Sequence, residues 1–385
     1  MTILFEPLRH HRCPWRIITL IVIAAGVLSG CSAATKPRDL RSVPLESSVL
    51  YLQNGALRTQ TLNDGAARVL ATSVRVGCAP YAIAPDGSRV AYQDQNGVWW
   101  AISTAGGAAV QISDKPVQMV AWLPSSQGVY FSDGADIRAL LFDQTRSSAV
   151  LPGGGQRFVS PTWAPNGEHI ALIENPRANV AEVKLAKADG SGMRSLGRVL
   201  LSPTEATELC PPQIIWSPDS TRFLFNPGRS ATIFYLTGGT PLPLPAHGAD
   251  AVYAWAPDGS QVAFTDGQGT LWLVSSGGTG VRNVADAVAG PAWSPDGKQV
   301  AYISQDKGGY ALRTYDLSRS STRLLVQVPN DALLNPQWFP AAEALLFTRQ
   351  ARDGNSTIWT APASGSGSAQ QIASGAAATL FQKPK

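Results

Sequence analysis

Trp293-Ser294-Pro295-Asp296-Gly297-Lys298-Gln299-Val300-Ala301-Tyr302 joins a tryptophan, a turn-forming triplet and a short apolar run. Trp255-Ala256-Pro257-Asp258-Gly259-Ser260-Gln261-Val262-Ala263-Phe264 nearly duplicates it. Trp216-Ser217-Pro218-Asp219, Trp163-Ala164-Pro165-Asn166-Gly167, Trp122-Leu123-Pro124 and Trp338-Phe339-Pro340 are further copies, and Ile83-Ala84-Pro85-Asp86-Gly87 puts Ile in the Trp slot. The anchor prolines at 85, 124, 165, 218, 257, 295 and 340 are 39, 41, 53, 39, 38 and 45 residues apart. A period near forty with about four short strands per unit indicates a β-propeller.

Each repeat reads alike. An inner strand ends at the Trp, and proline fixes φ at the turn while glycine accepts positive φ. A second strand follows, as in Val90–Gln93, Val129–Ser132, Ile170–Glu174, Arg222–Asn226, Val262–Asp266, Val300–Ser304 and Leu345–Arg349. A third carries aromatics such as Trp99, Trp100, Phe234, Trp272 and Trp359, and an outer strand closes the unit. Seven anchors imply seven complete blades. Val49–Gln53, the Asn54-Gly55 turn, Ala56–Leu62 and Ala67–Ala71 supply a second, third and fourth strand without a first. Ala377–Gln382 at the other end supplies the missing inner strand. The expectation is an all-β, eight-bladed propeller of four antiparallel strands per blade, closed by the C-terminal strand. Seven or six blades is the alternative if an end segment packs outside.

These repeats resemble those of TolB-like propellers, a WD-repeat-like class common in exported bacterial proteins. The resemblance covers most of 48–385 and speaks to fold more than to function. The family's namesake has six blades and an additional N-terminal domain, and both features differ here. The tether described next is also too short for a separate domain.

The first thirty residues read as an address. Arg9, Arg12 and Arg16 precede an apolar run, Ile17–Leu28, that is short for a membrane span and suits a signal-peptide core. Leu28-Ser29-Gly30-Cys31 resembles the bacterial lipobox, which implies cleavage before Cys31 and lipidation of its sulfur. Each buried methylene contributes about 0.8 kcal/mol, and two or more chains make a stable anchor. Ser32 is not the Asp that retains lipoproteins at the inner membrane of Gram-negative cells. Ser32–Ser47 is polar and rich in Lys, Arg, Pro and Ser. The expected organisation is a lipoprotein signal peptide over 1–30, a flexible tether over 31–47 and a propeller over 48–385. The product would be exported and lipid-anchored to the outer side of the cell membrane or to the outer membrane.

Cys13 falls in the signal and Cys31 is the lipid site, which leaves Cys78 and Cys210 in an oxidising compartment. Both precede an anchor, in loops on the same rim. Their blades lie three apart, beyond the ~7 Å a disulfide requires unless the long loop of Cys210 bridges the gap. A bridge and two free thiols both remain open.

The repeated tryptophans read as wedges between blades, since each ring buries about 150–250 Å². The turn aspartates read as acceptors of backbone N–H groups. Extra length falls in two kinds of loop that emerge opposite the Pro-Asp-Gly turns: Asn175–Asn179, Gln305–Gly309 and Gln350–Ser356, and Ser202–Pro212 and Pro329–Asn335. Long loops on one face mark a binding side. Its candidate residues are Arg177, Glu205, Glu208, Asp306, Lys307, Arg349, Arg352 and Asp353. The plainer reading makes them solvated loop charges.

A net charge of +4 without a basic stripe argues against nucleic acid. His169 and His247 lack metal spacing. Ser275-Ser276-Gly277-Gly278 and Gly153-Gly154-Gly155 are turns, without the Lys and helix of a phosphate loop. Catalytic residues, metal and cofactor are therefore expected to be none. The expected function is a monomeric, membrane-anchored scaffold for an envelope protein or peptide. A lyase or hydrolase acting on glycans or lactones at the central channel is the alternative.

Overall fold

The computed structural model describes residues 47–62, 65–76, 81–117, 120–133, 136–144, 146–151, 158–177, 180–200, 213–227, 231–244, 251–266 and 268–382. Their strands form eight antiparallel sheets of four strands each. Blades 1 to 7 span 81–111, 120–151, 158–200, 213–243, 252–286, 289–328 and 332–374. Blade 8 combines 47–71 with the C-terminal strand Ala376–Gln382, which is its inner strand. Ser47 pairs with Gln382 and Val49 with Leu380, so the first and last strands of the described residues close the ring.

Strands alternate in direction, which gives the ring two unlike faces. The turn face carries the Pro-Asp-Gly turns, the connections between third and outer strands, and both chain ends. The hairpin face carries the connections between second and third strands and the links from one blade to the next. On the turn face, Gly87, Gly259 and Gly297 sit at φ 71, 70 and 69°. Ser126, Ser220 and Ala342 hold the same slot at 60, 59 and 61°, a conformation that costs a side-chain-bearing residue. Asp86, Asp219, Asp258 and Asp296 each accept the backbone N–H two residues on, at 2.9–3.1 Å. That is the turn-capping role expected of them. At Gly87 a Cβ would lie 1.9 Å from the Gln382 carbonyl, so the first turn lies directly against the closing strand.

The apolar core lies between blades. Ala91 and Trp99 of blade 1 pack on Trp122 and Phe131 of blade 2, and Leu224 and Ile233 of blade 4 on Trp255 and Phe264 of blade 5. The wedge reading of the tryptophans matches this packing, and their polar ends add a second function. Five of the six anchor indoles donate their Nε1–H to a carbonyl on the inner strand of the preceding blade. Trp122 reaches Ala82 at 2.9 Å, Trp216 reaches Thr162 at 3.1 Å, and Trp255, Trp293 and Trp338 reach Ile215, Ala254 and Ala292 at 3.0 Å. Every acceptor sits one residue before its own blade's anchor position, so one geometry recurs around the ring.

Three seams are tied differently. Between blades 2 and 3, the Tyr130 hydroxyl accepts the backbone N–H of Trp163 at 3.0 Å, with the ring centroids 4.2 Å apart. Between blades 7 and 8, Gln337 Nε2 donates to Ala378 O at 2.7 Å and its Oε1 accepts Leu380 N–H at 2.9 Å. Between blades 8 and 1, the Tyr81 hydroxyl meets Thr379 Oγ1 at 3.0 Å, the Leu50 carbonyl at 3.2 Å and the Ala377 carbonyl. Burial pushes the Tyr81 phenol well above its ordinary pKa, so it stays a donor. The closing strand is thus fastened from both neighbours by side chains outside the Trp repeat.

Candidate binding face

The hairpin face is shaped by strand length. Blade 4 uses strands of 4, 5, 4 and 2 residues, while blade 6 uses 5, 8, 8 and 8 and blade 7 uses 7, 7, 7 and 5. Of the residues expected in long loops, Arg177, Asp306 and Arg349 are ladder instead, which corrects the sequence reading there, whereas Lys307, Arg352 and Asp353 do lie in turns. The second strand of blade 3 runs His169–Arg177 and pairs Arg177 with Val180, so Arg177 closes a strand. Asp306 ends the strand Gln299–Asp306, opposite Gly309, and only Lys307 and Gly308 turn. Arg349 lies within Ala344–Gln350, and Arg352 and Asp353 occupy the five-residue turn before Ser356. Past the apolar core, backbone pairing continues with polar side chains, because ladder hydrogen bonds need no buried face.

Most candidate charges are engaged by residues of their own hairpin or of the link between blades 6 and 7. Asp306 Oδ1 accepts Gly308 N–H at 2.7 Å, and its Oδ2 lies 3.4 Å from the Arg313 guanidinium. Arg349 pairs with Asp331 through Nε and lies 5.5 Å over the Trp359 ring. Arg352 donates to Asn330 Oδ1 at 2.9 Å, and Asp353 accepts Asn355 N–H at 2.9 Å. Lys307 is exposed at the tip. Thus Asp306 and Lys307 lie on blade 6, and Arg349, Arg352 and Asp353 on the same face of the neighbouring blade 7. Glu205, Glu208, Cys31, Cys78 and Cys210 lie outside the described residues.

A second repeated device lies on this face and was missed in the sequence. An aspartate at the end of the second strand caps the hairpin turn with one oxygen and holds a third-strand side chain with the other. Asp94 accepts N–H from Asn96 and Val98 at 2.8 and 3.0 Å, and Trp100 Nε1–H at 2.9 Å. Asp266 accepts from Gln268 and Thr270 at 3.0 and 2.8 Å, and from Trp272 Nε1–H at 2.7 Å. Asp306 with Arg313, and Asp133 with Arg138 at 3.8 Å, are the cationic versions. Burial raises the Asp94 carboxyl, but the donors from Trp100, Val98, Asn96 and Gly97 outweigh it and hold the group below its ordinary pKa. The available signal was the shared spacing of Asp94 to Trp100 and Asp266 to Trp272. In blade 3, Glu174 faces Glu182 across the ladder, and Lys184 and Arg198 compensate the like charges. A hydrogen bond from the Ser195 hydroxyl and the Arg198 guanidinium keep Glu182 below its ordinary pKa against the opposing pull of burial.

Four large apolar residues stand exposed on the same face: Val76, Leu200, Val252 and Val288. Val252 and Val288, 40 and 45 % exposed, begin or precede the inner strands of blades 5 and 6, at the mouth of the channel. The inner strands Tyr81–Ile83, Val120–Trp122, Phe158–Trp163, Gln213–Trp216, Val252–Trp255, Ala289–Trp293, Ala332–Trp338 and Ala376–Gln382 contain no Asp, Glu, His, Lys or Arg. Among the described residues, no three His, Cys, Asp or Glu side chains gather as metal ligands.

This geometry is shared widely among solved structures. Dihydro-heme d1 dehydrogenase NirN in complex with DHE aligns with a TM-score of 0.61 at 13 % identity, over 90 % of this chain and 77 % of that one. A structure described as the eukaryotic initiation factor gives 0.51 at 10 % identity, over 88 % of this chain and 99 % of the other. Oligogalacturonate lyase in complex with manganese gives 0.50 at 10 % identity, over 81 and 94 %. At these identities the likeness is one of fold alone. No curated protein matches the sequence. The family model for the TolB beta propeller domain matches residues 156–379, more than half of the chain and most of the ring. With its Trp-Pro-Asp-Gly repeats and closed ring of four-stranded blades, the chain belongs to the TolB β-propeller domain family.

Proposed function

We propose that this protein is an exported lipoprotein, anchored through Cys31, whose propeller is a protein- or peptide-binding scaffold in the cell envelope. The observation that carries the binding role is the hairpin face. Exposed apolar residues at the channel mouth, Val252 and Val288, lie on the same face as hairpin tips whose charges are held in fixed positions. Apolar side chains left in water beside ordered polar groups are what a partner covers. The inner strands add no acid or base to the channel wall, which favours recognition over catalysis there.

A photo-crosslinking residue placed at Val288, with a control at Lys298 on the turn face, tests the binding role in native envelopes. The expected result is a discrete protein adduct from position 288, absent from position 298 and lost when Val252→Glu is added. Equal or absent adducts from both positions overturn the binding role. So does turnover of a glycan or lactone by the purified protein. The anchor is tested separately: Cys31→Ser is expected to move the protein from the detergent phase to the aqueous phase, and unchanged partitioning refutes lipidation.

A further inference from the structure

We propose that the anchored propeller stands with its turn face toward the bilayer and its hairpin face toward the surroundings. The orientation rests on the proposed lipid anchor at Cys31 and on the tether reading of 31–47, and follows from where the ring is broken. In blades 1 to 7 the inner strand passes to the second strand through a proline turn, which is Pro-Asp-Gly in blades 1, 5 and 6. In blade 8 that turn is replaced by the two chain ends, Gln382 leaving and Ser47 entering, paired opposite each other. The contact of Gly87 with Gln382 fixes both ends on the turn face. A tether from Cys31 therefore joins the propeller on the side opposite Val252, Val288 and the tips of blades 6 and 7.

Chain length makes the orientation unequal. Cys31 and Ser47 are 16 residues apart. A polar linker of that length spans roughly 22 Å root-mean-square, and at most about 55 Å when fully drawn out. To lay the hairpin face on the bilayer, the tether would have to pass outward over two strands, about 10 Å, and climb the height of a blade. The strand Gln299–Asp306 sets that height at roughly 26 Å. The path is well beyond the relaxed span of the tether, whereas the turn face needs no detour.

Lys298 and Lys307 flank one strand and lie on opposite faces, which makes them matched reporters. The lipidated full-length protein, with Cys78→Ser and Cys210→Ser, carries a donor dye at Lys298→Cys or at Lys307→Cys. It is reconstituted in phosphatidylcholine vesicles bearing a headgroup-linked acceptor. The expected result is at least about twofold more energy transfer from position 298, given the roughly 26 Å between the faces. Equal transfer, or more from position 307, overturns the orientation. An azide-bearing residue at the same two positions repeats the measurement with the native cysteines in place. A Cys31 protein that does not float with the vesicles defeats the anchor itself, and the orientation with it. Flotation with equal transfer defeats only the orientation.

Discussion

Trp255→Ala tests how the blades hold one another. The indole is 4 % exposed, packs against Leu224, Val262 and Phe264, and donates to Ile215 O at 3.0 Å. Burial of about 200 Å² at ~25 cal/mol/Å² gives an upper bound near 5 kcal/mol, and the hydrogen bond adds about 1 kcal/mol. Incomplete collapse of the cavity places the expected loss at about 3–5 kcal/mol. Residues 47–382, at roughly 2.1 cal/mol/K each, give an unfolding entropy near 0.7 kcal/mol/K, so the melting temperature should fall by about 4–7 °C. Trp255→Phe keeps most of the ring but leaves the Ile215 carbonyl without its donor, and about 1–3 kcal/mol is expected. Thermal unfolding followed by near-ultraviolet circular dichroism separates the two contributions. A shift below about 1 °C for Trp255→Ala would show that the seams do not depend on the indoles, and the buried-wedge argument would fail.

Three further perturbations address other parts of the ring. Tyr81→Phe removes the hydroxyl that binds Thr379 and the Leu50 and Ala377 carbonyls, and should cost about 1–3 kcal/mol and speed proteolysis at the chain ends; an unchanged digestion rate counts against closure by this residue. Asp94→Asn should lower the melting temperature at neutral pH. Because the folded carboxyl titrates below its ordinary value, its contribution is present above about pH 4 and disappears as pH falls through the folded pKa, so variant and native protein should converge in acid. A constant gap between them down to pH 2 would refute the charged hairpin lock. Ala342→Gly should stabilise by about 0.5–1 kcal/mol by relieving φ 61°, and a lower denaturation midpoint would contradict that account.

What the sequence made legible follows from where interaction partners lie along the chain. The Trp-Pro-Asp-Gly unit is local: its turn, its cap and its next strand fall within ten residues, and repetition makes it visible. The closing strand was legible because 47–71 lacks an inner strand and the last apolar run is spare. Gln337 and Tyr81 carried no such mark, since their partners lie on the closing strand, which Tyr81 reaches 298 residues away at Thr379. The extended hairpins were misread as loops because residues that end these strands, Asn175, Arg177, Gln305 and Asp306, are polar and carry no apolar mark of a strand. Val252 and Val288 on the candidate face were equally hidden: a lone valine at the start of an inner strand becomes an exposed residue only once the blades have been arranged in a circle.

The gap between Gln382 and Ser47 occupies the place where the seven other blades carry a proline turn, so the position of the break among the eight is a matter of gene order. Splicing the present ends with a short turn and opening the chain at Asp296-Gly297 would give a circular permutant with the same ladders and seams. Its new termini would emerge beneath blade 6 and still on the same side of the disc. A membrane attachment could therefore migrate around the rim without exchanging the side presented to the outside world.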